Sequence, residues 1–186
     1  MIVIPSKQLL ILTPPHTGSR VLHHVLCTQV PGAIWCNGTT PDGLIQDQHT
    51  MMICPEFKFF TRYLIIRNPY ERIFALWQHL VEWCRYNGDG CCSFKDFVKL
   101  VHEDCSERLS YMYRYTITRL LGDTEYQSTI DYPDLRVQIK SLFGVAIPEQ
   151  PDKWRRELAS YYDENTLKLV EEWANHDIVK WGYSKP

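Results

Sequence analysis

The chain has no apolar run that approaches the ~18 residues a helix needs to cross a bilayer, so no transmembrane segment is predicted. It also has no excess of one charge. Twenty Lys and Arg against 22 Asp and Glu leave a formal net charge of -2, which gives no global field to draw in nucleic acid or an anionic membrane. Any anion must therefore be held by a local site. None of the seven cysteines forms a CxxC pair, and His23, His24, Cys27 and Cys36 alone are a weak zinc set. Scattered spacing, an odd count and the adjacent Cys91-Cys92 read as reduced thiols of a cytoplasmic protein, not as a disulfide framework. The opening MIVIPSKQLLILTPP has Pro5 and Lys7 inside its apolar run and no basic leader, which speaks against a secretory signal. In that setting the sequon Asn37-Gly38-Thr39 carries no meaning. Internal repeats and low-complexity tracts are missing too.

What is present suits one globular domain over residues 1–186. The chain is 45% hydrophobic and 23% charged, enough for a sizeable core. Its organising stretch is LLILTPPHTGSRVLHHVL, residues 9–26. A buried strand at 9–12 leads into a polar turn, Thr13-Pro14-Pro15-His16-Thr17-Gly18. After Ser19-Arg20 a helix follows, with Val21, Leu22, Val25 and Leu26 on one face. Strand, tight loop and helix in this order aim backbone N–H groups and a helix N-terminus at an anion. The same Ser and Thr residues also read as an ordinary helix cap.

Further on, 33–36 is a candidate short strand, 37–43 a loop, and 44–54 is ambiguous between strand and helix. A clearer strand at 63–66 ends on Arg67, and Asn68-Pro69 opens a helix that keeps its 3.6-residue period to about Tyr86. Ser93 and Asp96 form a capping box for the next helix, and another is expected from about 107 to 121, stopped by Gly122. A strand at 127–131, a turn at Tyr132-Pro133-Asp134, a short helix closed by Gly144, and helices capped by Asp152 and Asp163 complete the chain. Strands separated by helices predict an α/β fold with a central parallel sheet flanked by helices. The loops after Leu12 and Ile66 then both lie at carboxyl ends of strands, where such sheets bind ligands.

The first loop departs from the nucleoside-triphosphatase P-loop, which needs two glycines and a Lys directly before Ser or Thr. Here one glycine, Gly18, precedes Ser19-Arg20. The second loop departs as well: Arg67 stands at the strand end where metal-dependent enzymes place an Asp for magnesium. A cation there neutralises an anion directly, which suits a ligand with a second phosphate and no metal. Arg67 and Arg72 also read as surface partners of Glu71 or Glu56.

These two loops resemble those of the sulfotransferases that use 3′-phosphoadenosine-5′-phosphosulfate (PAPS). The family's first loop, P-K/R-x-G-T/S-T/S/R, is matched by Pro15-His16-Thr17-Gly18-Ser19-Arg20. Its second motif, R-[D/N]-P-x-x-R-x-x-S, is matched by Arg67-Asn68-Pro69-Tyr70-Glu71-Arg72-Ile73-Phe74-Ala75. The closing region, with Tyr162, the helix at 170–173, Asp177 and Gly182-Tyr183, is similar to that of Golgi-type carbohydrate sulfotransferases.

The resemblance implies a P-loop-like three-layer fold and transfer of a sulfuryl group from PAPS to a hydroxyl acceptor, a carbohydrate or small alcohol, leaving PAP. It implies no metal, nucleic acid or membrane partner. Residues 16–20 would cradle the 5′-phosphosulfate, with Pro15 also counted among the cofactor-binding residues, and Arg67 would hold the 3′-phosphate. Two positions differ from the family. His16 stands where Lys or Arg is usual, leaving a loop whose charge depends on pH, and Ala75 replaces the serine that gives the 3′-phosphate a hydroxyl. By resemblance His49, within Asp47-Gln48-His49-Thr50, is the candidate general base, with Glu56 second, while His16 would stabilise the leaving group. Lys95, Lys99, Arg108, Arg114 and Arg119, among several tyrosines, line a cleft for an anionic glycan or form a solvated face. A P-loop-like kinase and a catalytically silent PAP-binding module are the rival readings.

Overall fold

Short β-branched and leucine-rich runs build one five-stranded sheet, and the links between them set its topology. The computed structural model of the chain describes residues 1–36, 38–39, 46–47, 53, 55–88, 90–105, 109–149 and 157–186. It divides into two compact units, Met1–Arg67 with Ile117–Glu149, and Asn68–Thr116 with Gln150–Pro186.

The first unit holds the sheet. In chain order its elements are β1 (Ile2–Ile4), β2 (Leu9–Leu12), α1 (Ser19–Gln29), β3 (Ile34–Trp35), β4 (Gly38–Thr39), β5 (Gln46–Asp47) and β6 (Thr61–Ile66). The strand order is β3-β1-β2-β6, closed on the far side by β7 (Ser128–Asp131). β2, β6 and β7 are parallel neighbours, whereas β1 runs antiparallel to both β2 and β3. The sheet is therefore mixed, which corrects the expectation of a parallel one. The cause is local. Ile4 and Leu9 are joined by a 3₁₀ turn over Pro5–Lys7, with Gln8 left-handed at φ 48° and its N–H bonded to the Pro5 carbonyl. So short a link reverses the chain, and reversed neighbours can only pair antiparallel. The short pair β4–β5 stands outside this sheet.

One face of the sheet carries Ile2, Ile4, Leu9, Ile11, Ile65 and Ile130. They pack with Leu22, Val25 and Leu26 of α1 and with Leu135 and Ile139 of α6 (Leu135–Phe143). Val3, Leu10, Leu12 and Leu64, on alternate positions, are also without solvent exposure, so these strands read as continuous apolar runs.

The second unit is helical: α2 (Pro69–Asn87), α3 (Phe94–His102), α4 (Tyr111–Arg114) and α7 (Glu164–Trp181). Phe74, Leu76, Phe94, Phe97, Val98 and Val170 form its core. The expected caps are in place. The Asn68 side chain accepts from the Tyr70 N–H, Ser93 accepts from the Asp96 N–H, and Asp163 and Thr166 close a reciprocal capping box. Asp152 lies outside the described residues.

The single helix expected over 107–121 is instead α4 and a separate α5 (Ile117–Leu121), which belongs to the first unit. Tyr115 breaks it, with φ -92° and ψ 135°. The carbonyl released by that extended residue accepts from the Arg72 guanidinium at 2.9 Å. Apolar spacing continues through the break, so periodicity alone does not show it.

Candidate functional site

The carboxyl ends of β2, β6 and β7 lie at the same edge of the sheet, because all three strands are parallel and in register from Leu12 to Leu64 and from Ile66 to Asp131. Each end delivers part of a site.

After β2, Thr13 and Pro14 lead into a turn in which Pro15 holds the second position and His16 the third, with the Thr17 N–H 3.4 Å from the Pro14 carbonyl. His16 adopts φ 61°. A left-handed third position after proline is the type II pattern, normally filled by Gly or Asn. Thr17 is wholly buried, and its hydroxyl donates to the same Pro14 carbonyl at 2.7 Å. That hydroxyl thus braces the turn, while the Ser19 hydroxyl sits at the start of α1.

Gly18 is the N-cap of α1 with φ 89°, and no side chain caps the helix. A glycine is required here twice over. Besides the positive φ, an added Cβ would stand 2.9 Å from Leu135 Cδ2 and 3.2 Å from Tyr132 Cε2. Gly18, without a side chain, puts no capping oxygen of its own at the first turn of α1, and a helix start of this kind is a local arrangement that accepts a phosphate or sulfate. Arg20, on that turn, is exposed.

Arg67 directly follows β6 and is only 4% exposed. Its Nη1 donates to the His16 carbonyl at 2.9 Å, and its guanidinium lies 4.2 Å from the centroid of the Tyr132 ring. Tyr132 follows β7 and is set by its own N–H, which donates to the Asp131 carboxylate at 2.8 Å. The two motifs read from the sequence therefore meet, and Tyr132 is the element that sequence reasoning left out. Its signal in the sequence is the Tyr-Pro-Asp turn that follows a strand of the same sheet.

The remaining candidates are placed as follows. Glu56 is exposed on a 3₁₀ turn over Pro55–Phe57. Ala75 is half-buried on α2, in the second unit. His49 lies outside the described residues. Arg72 is 1% exposed and engages the Tyr115 carbonyl and, at 6.0 Å, the Trp173 ring. His23, from the weak zinc set, is buried with Nε2 3.3 Å from Thr13 Oγ1 and its ring 3.9 Å from that of Trp35. Of the basic residues proposed to face an acceptor, Lys95 pairs with Asp163 and Arg114 with Asp104, each at 2.6 Å. Arg119 is exposed, and Arg108 lies outside the described residues. Among the described residues no group of three His, Cys, Asp or Glu side chains is placed to hold a metal ion, and no helix is long and apolar enough to cross a membrane.

No family model matches the chain, and no curated protein is similar to it at a significant level. Among solved structures, the chain is similar to the crystal structure of a sulfotransferase from Alicyclobacillus acidocaldarius, with 19% identity and a TM-score of 0.34. The match covers 67% of this chain and 58% of that one, so the chain spans little more than half the length of that protein.

Proposed function

We propose that the protein binds PAPS at the carboxyl edge of β2, β6 and β7 and transfers its sulfuryl group to a hydroxyl acceptor, a carbohydrate or small alcohol. One observation carries this reading: Arg67, at the end of β6, is bonded to the loop that leads into the uncapped N-terminus of α1. A cation and a set of backbone donors at one strand edge suit a ligand with two separated anionic groups.

The residues present fit such a ligand. Gly18 leaves room where a Cβ would fill the gap to Tyr132, and as the N-cap of α1 it brings no side chain to compete for the helix start. When bound, PAPS supplies the sulfuryl group and a stable bisphosphate leaving group. The chain's own part is to hold and neutralise. The Gly18–Arg20 backbone and the Ser19 hydroxyl bind the 5′ end, together with Pro15, His16 and Thr17, which shape the turn. Arg67 provides positive charge for the 3′-phosphate from a position fixed by His16 O and the Tyr132 ring. His16 adds a second, pH-dependent charge on the leaving side. His49 takes the acceptor proton, and Glu56 is the second choice for that role. Ala75, matched by the resemblance to the serine that gives the 3′-phosphate a hydroxyl, has none to offer.

The test is a turnover assay with PAPS over a panel of hydroxyl acceptors, read as PAP release. Acceptor-dependent release that falls on the order of 10²–10⁴-fold in His49→Ala, with PAP binding retained, supports the base assignment. Near-normal turnover in that variant moves the search to Glu56. A second reading is a PAP-binding module without transfer. The burial of Arg67 under Tyr132 favours it, since the guanidinium then serves as much to brace the loop as to meet a ligand. PAP binding without turnover on any acceptor would select it.

A further inference from the structure

α1 buries two polar side chains on one face, Ser19 and, one helical turn later, His23, which are 5% and 4% exposed. The imidazole is held on two sides. Its ring lies 3.9 Å from that of Trp35 on β3, centroid to centroid, and Nε2 stands 3.3 Å from Thr13 Oγ1. Thr13, without solvent exposure, is the residue at which the chain leaves β2 for the loop. The pair therefore joins the two legs of the loop at its base, from residues ten positions apart: one leg leaves the sheet and the other has entered the helix. Within the loop, Thr17 Oγ1 donates to the Pro14 carbonyl at 2.7 Å, and Arg67 Nη1 donates to the His16 carbonyl at 2.9 Å. Those two bonds set the shape of the turn, whereas the Thr13–His23 pair sets how the turn stands against α1.

We infer that His23 is a positioning residue of the anion site: it holds Thr13 against α1 and so fixes the loop and the helix start relative to each other before the ligand arrives. The inference rests on the proposed binding of PAPS at this strand edge. Either state of Nε2 closes the bond, because an Nε2–H donates to the hydroxyl oxygen and a bare Nε2 accepts from the hydroxyl. The flat ring lies against Trp35, while Nε2, at its far end, reaches Thr13. The bond also gives two polar groups a partner where little water reaches, so removing either side leaves the other at a cost. A loop already held in its bound shape loses less freedom on binding, and its ligand is held more tightly for that reason.

Four substitutions separate this role from one in packing alone. His23→Phe keeps a ring against Trp35 and loses the bond. Thr13→Val keeps the volume of the side chain and loses its hydroxyl. His23→Gln places a polar atom close to the position of Nε2, whereas His23→Asn places one near that of Nδ1, too short to reach Thr13.

The experiment uses the full chain. Amide hydrogen exchange is followed without ligand, and PAP binding is measured by calorimetry well below the unfolding temperature. In His23→Phe and in Thr13→Val the Thr17 amide, bonded to the Pro14 carbonyl, should exchange faster by a larger factor than the slowest amides of β2, which report global opening. PAP should bind about 2- to 12-fold more weakly in each, the value of one hydrogen bond. The double variant should bind no more weakly than the weaker of the two. His23→Gln should keep both readings close to those of the parent protein, and His23→Asn neither. Thr13→Val decides where His23→Phe fails to fold. A Thr17 amide that speeds only as much as the β2 amides, losses of affinity that add in the double variant, or a His23→Asn that serves as well as His23→Gln overturns the assignment. If the parent protein binds no PAP, the proposed function falls, while the exchange of Thr17 still decides the role of His23.

Discussion

Arg67 Nη1 donates to the His16 carbonyl across 2.9 Å, joining residues 51 positions apart. The bond ties the end of β6 to the turn after β2, and the guanidinium is covered on one side by Tyr132. Arg67→Ala leaves the half-buried His16 carbonyl without this donor and removes a stacked cation. It should destabilise the protein by ~1.5–3 kcal/mol, the usual range for hydrogen bonds to charged groups. Arg67→Lys should recover only part of this, because a point charge does not reproduce a planar stack and a directed N–H together. Urea unfolding of the three proteins checks both. Equal stability of Arg67→Lys and the parent would mean that charge alone matters here.

The turn itself makes opposite predictions at two neighbouring positions. His16 holds φ 61° without being glycine, so His16→Gly or His16→Asn should be neutral or stabilising by up to ~1 kcal/mol as the left-handed strain is relieved. Gly18→Ala adds a Cβ at φ 89° against Leu135 and Tyr132 and should cost ~1–3 kcal/mol from overpacking, with the strained φ adding to it. Denaturant midpoints measured side by side test the pair. A tolerated Gly18→Ala would show that Tyr132 moves aside readily.

Acid sensitivity should localise to the start of α7. Asp163 is held well below the ordinary carboxylate value by its bond to Lys95 first, and then by the Thr166 N–H and hydroxyl. A depressed folded-state value means that its stabilisation is fully present above the unfolded value of ~3.9 and is lost as pH falls below it. Asp163→Asn should therefore lower Tm at pH 7 and narrow the gap to the parent as pH falls toward 2. Thermal melts across pH check it. A gap that stays constant down to pH 2 would remove Asp163 from the acid response.

The sequence was most legible where local chemistry decides. Ser93, Asp163 and Asn68 mark helix starts because their side chains have a nearby N–H to satisfy, and the apolar runs at 9–12 and 63–66 are strands because they are buried on both faces. Legibility fell where one backbone turn or a distant partner decides. The antiparallel β1 follows from one left-handed residue, Gln8, and the break at Tyr115 from a carbonyl taken by Arg72. At the site, the motif spacing brought out Gly18 and Arg67. It gave no hint that Tyr132 would lie between them, since that depends on β7 pairing with β6. Thr17 reads in sequence as a ligand donor, whereas its hydroxyl is engaged by Pro14.

The central claim is that one strand edge binds a ligand with separated 5′ and 3′ anions, and calorimetric titration with adenosine 3′,5′-bisphosphate tests it most directly. The account predicts saturable binding that survives EDTA, a much weaker response to adenosine 5′-monophosphate, and loss of the difference between the two ligands in Arg67→Ala. Binding that needs added magnesium, or an equal affinity for both ligands in the parent protein, would contradict it.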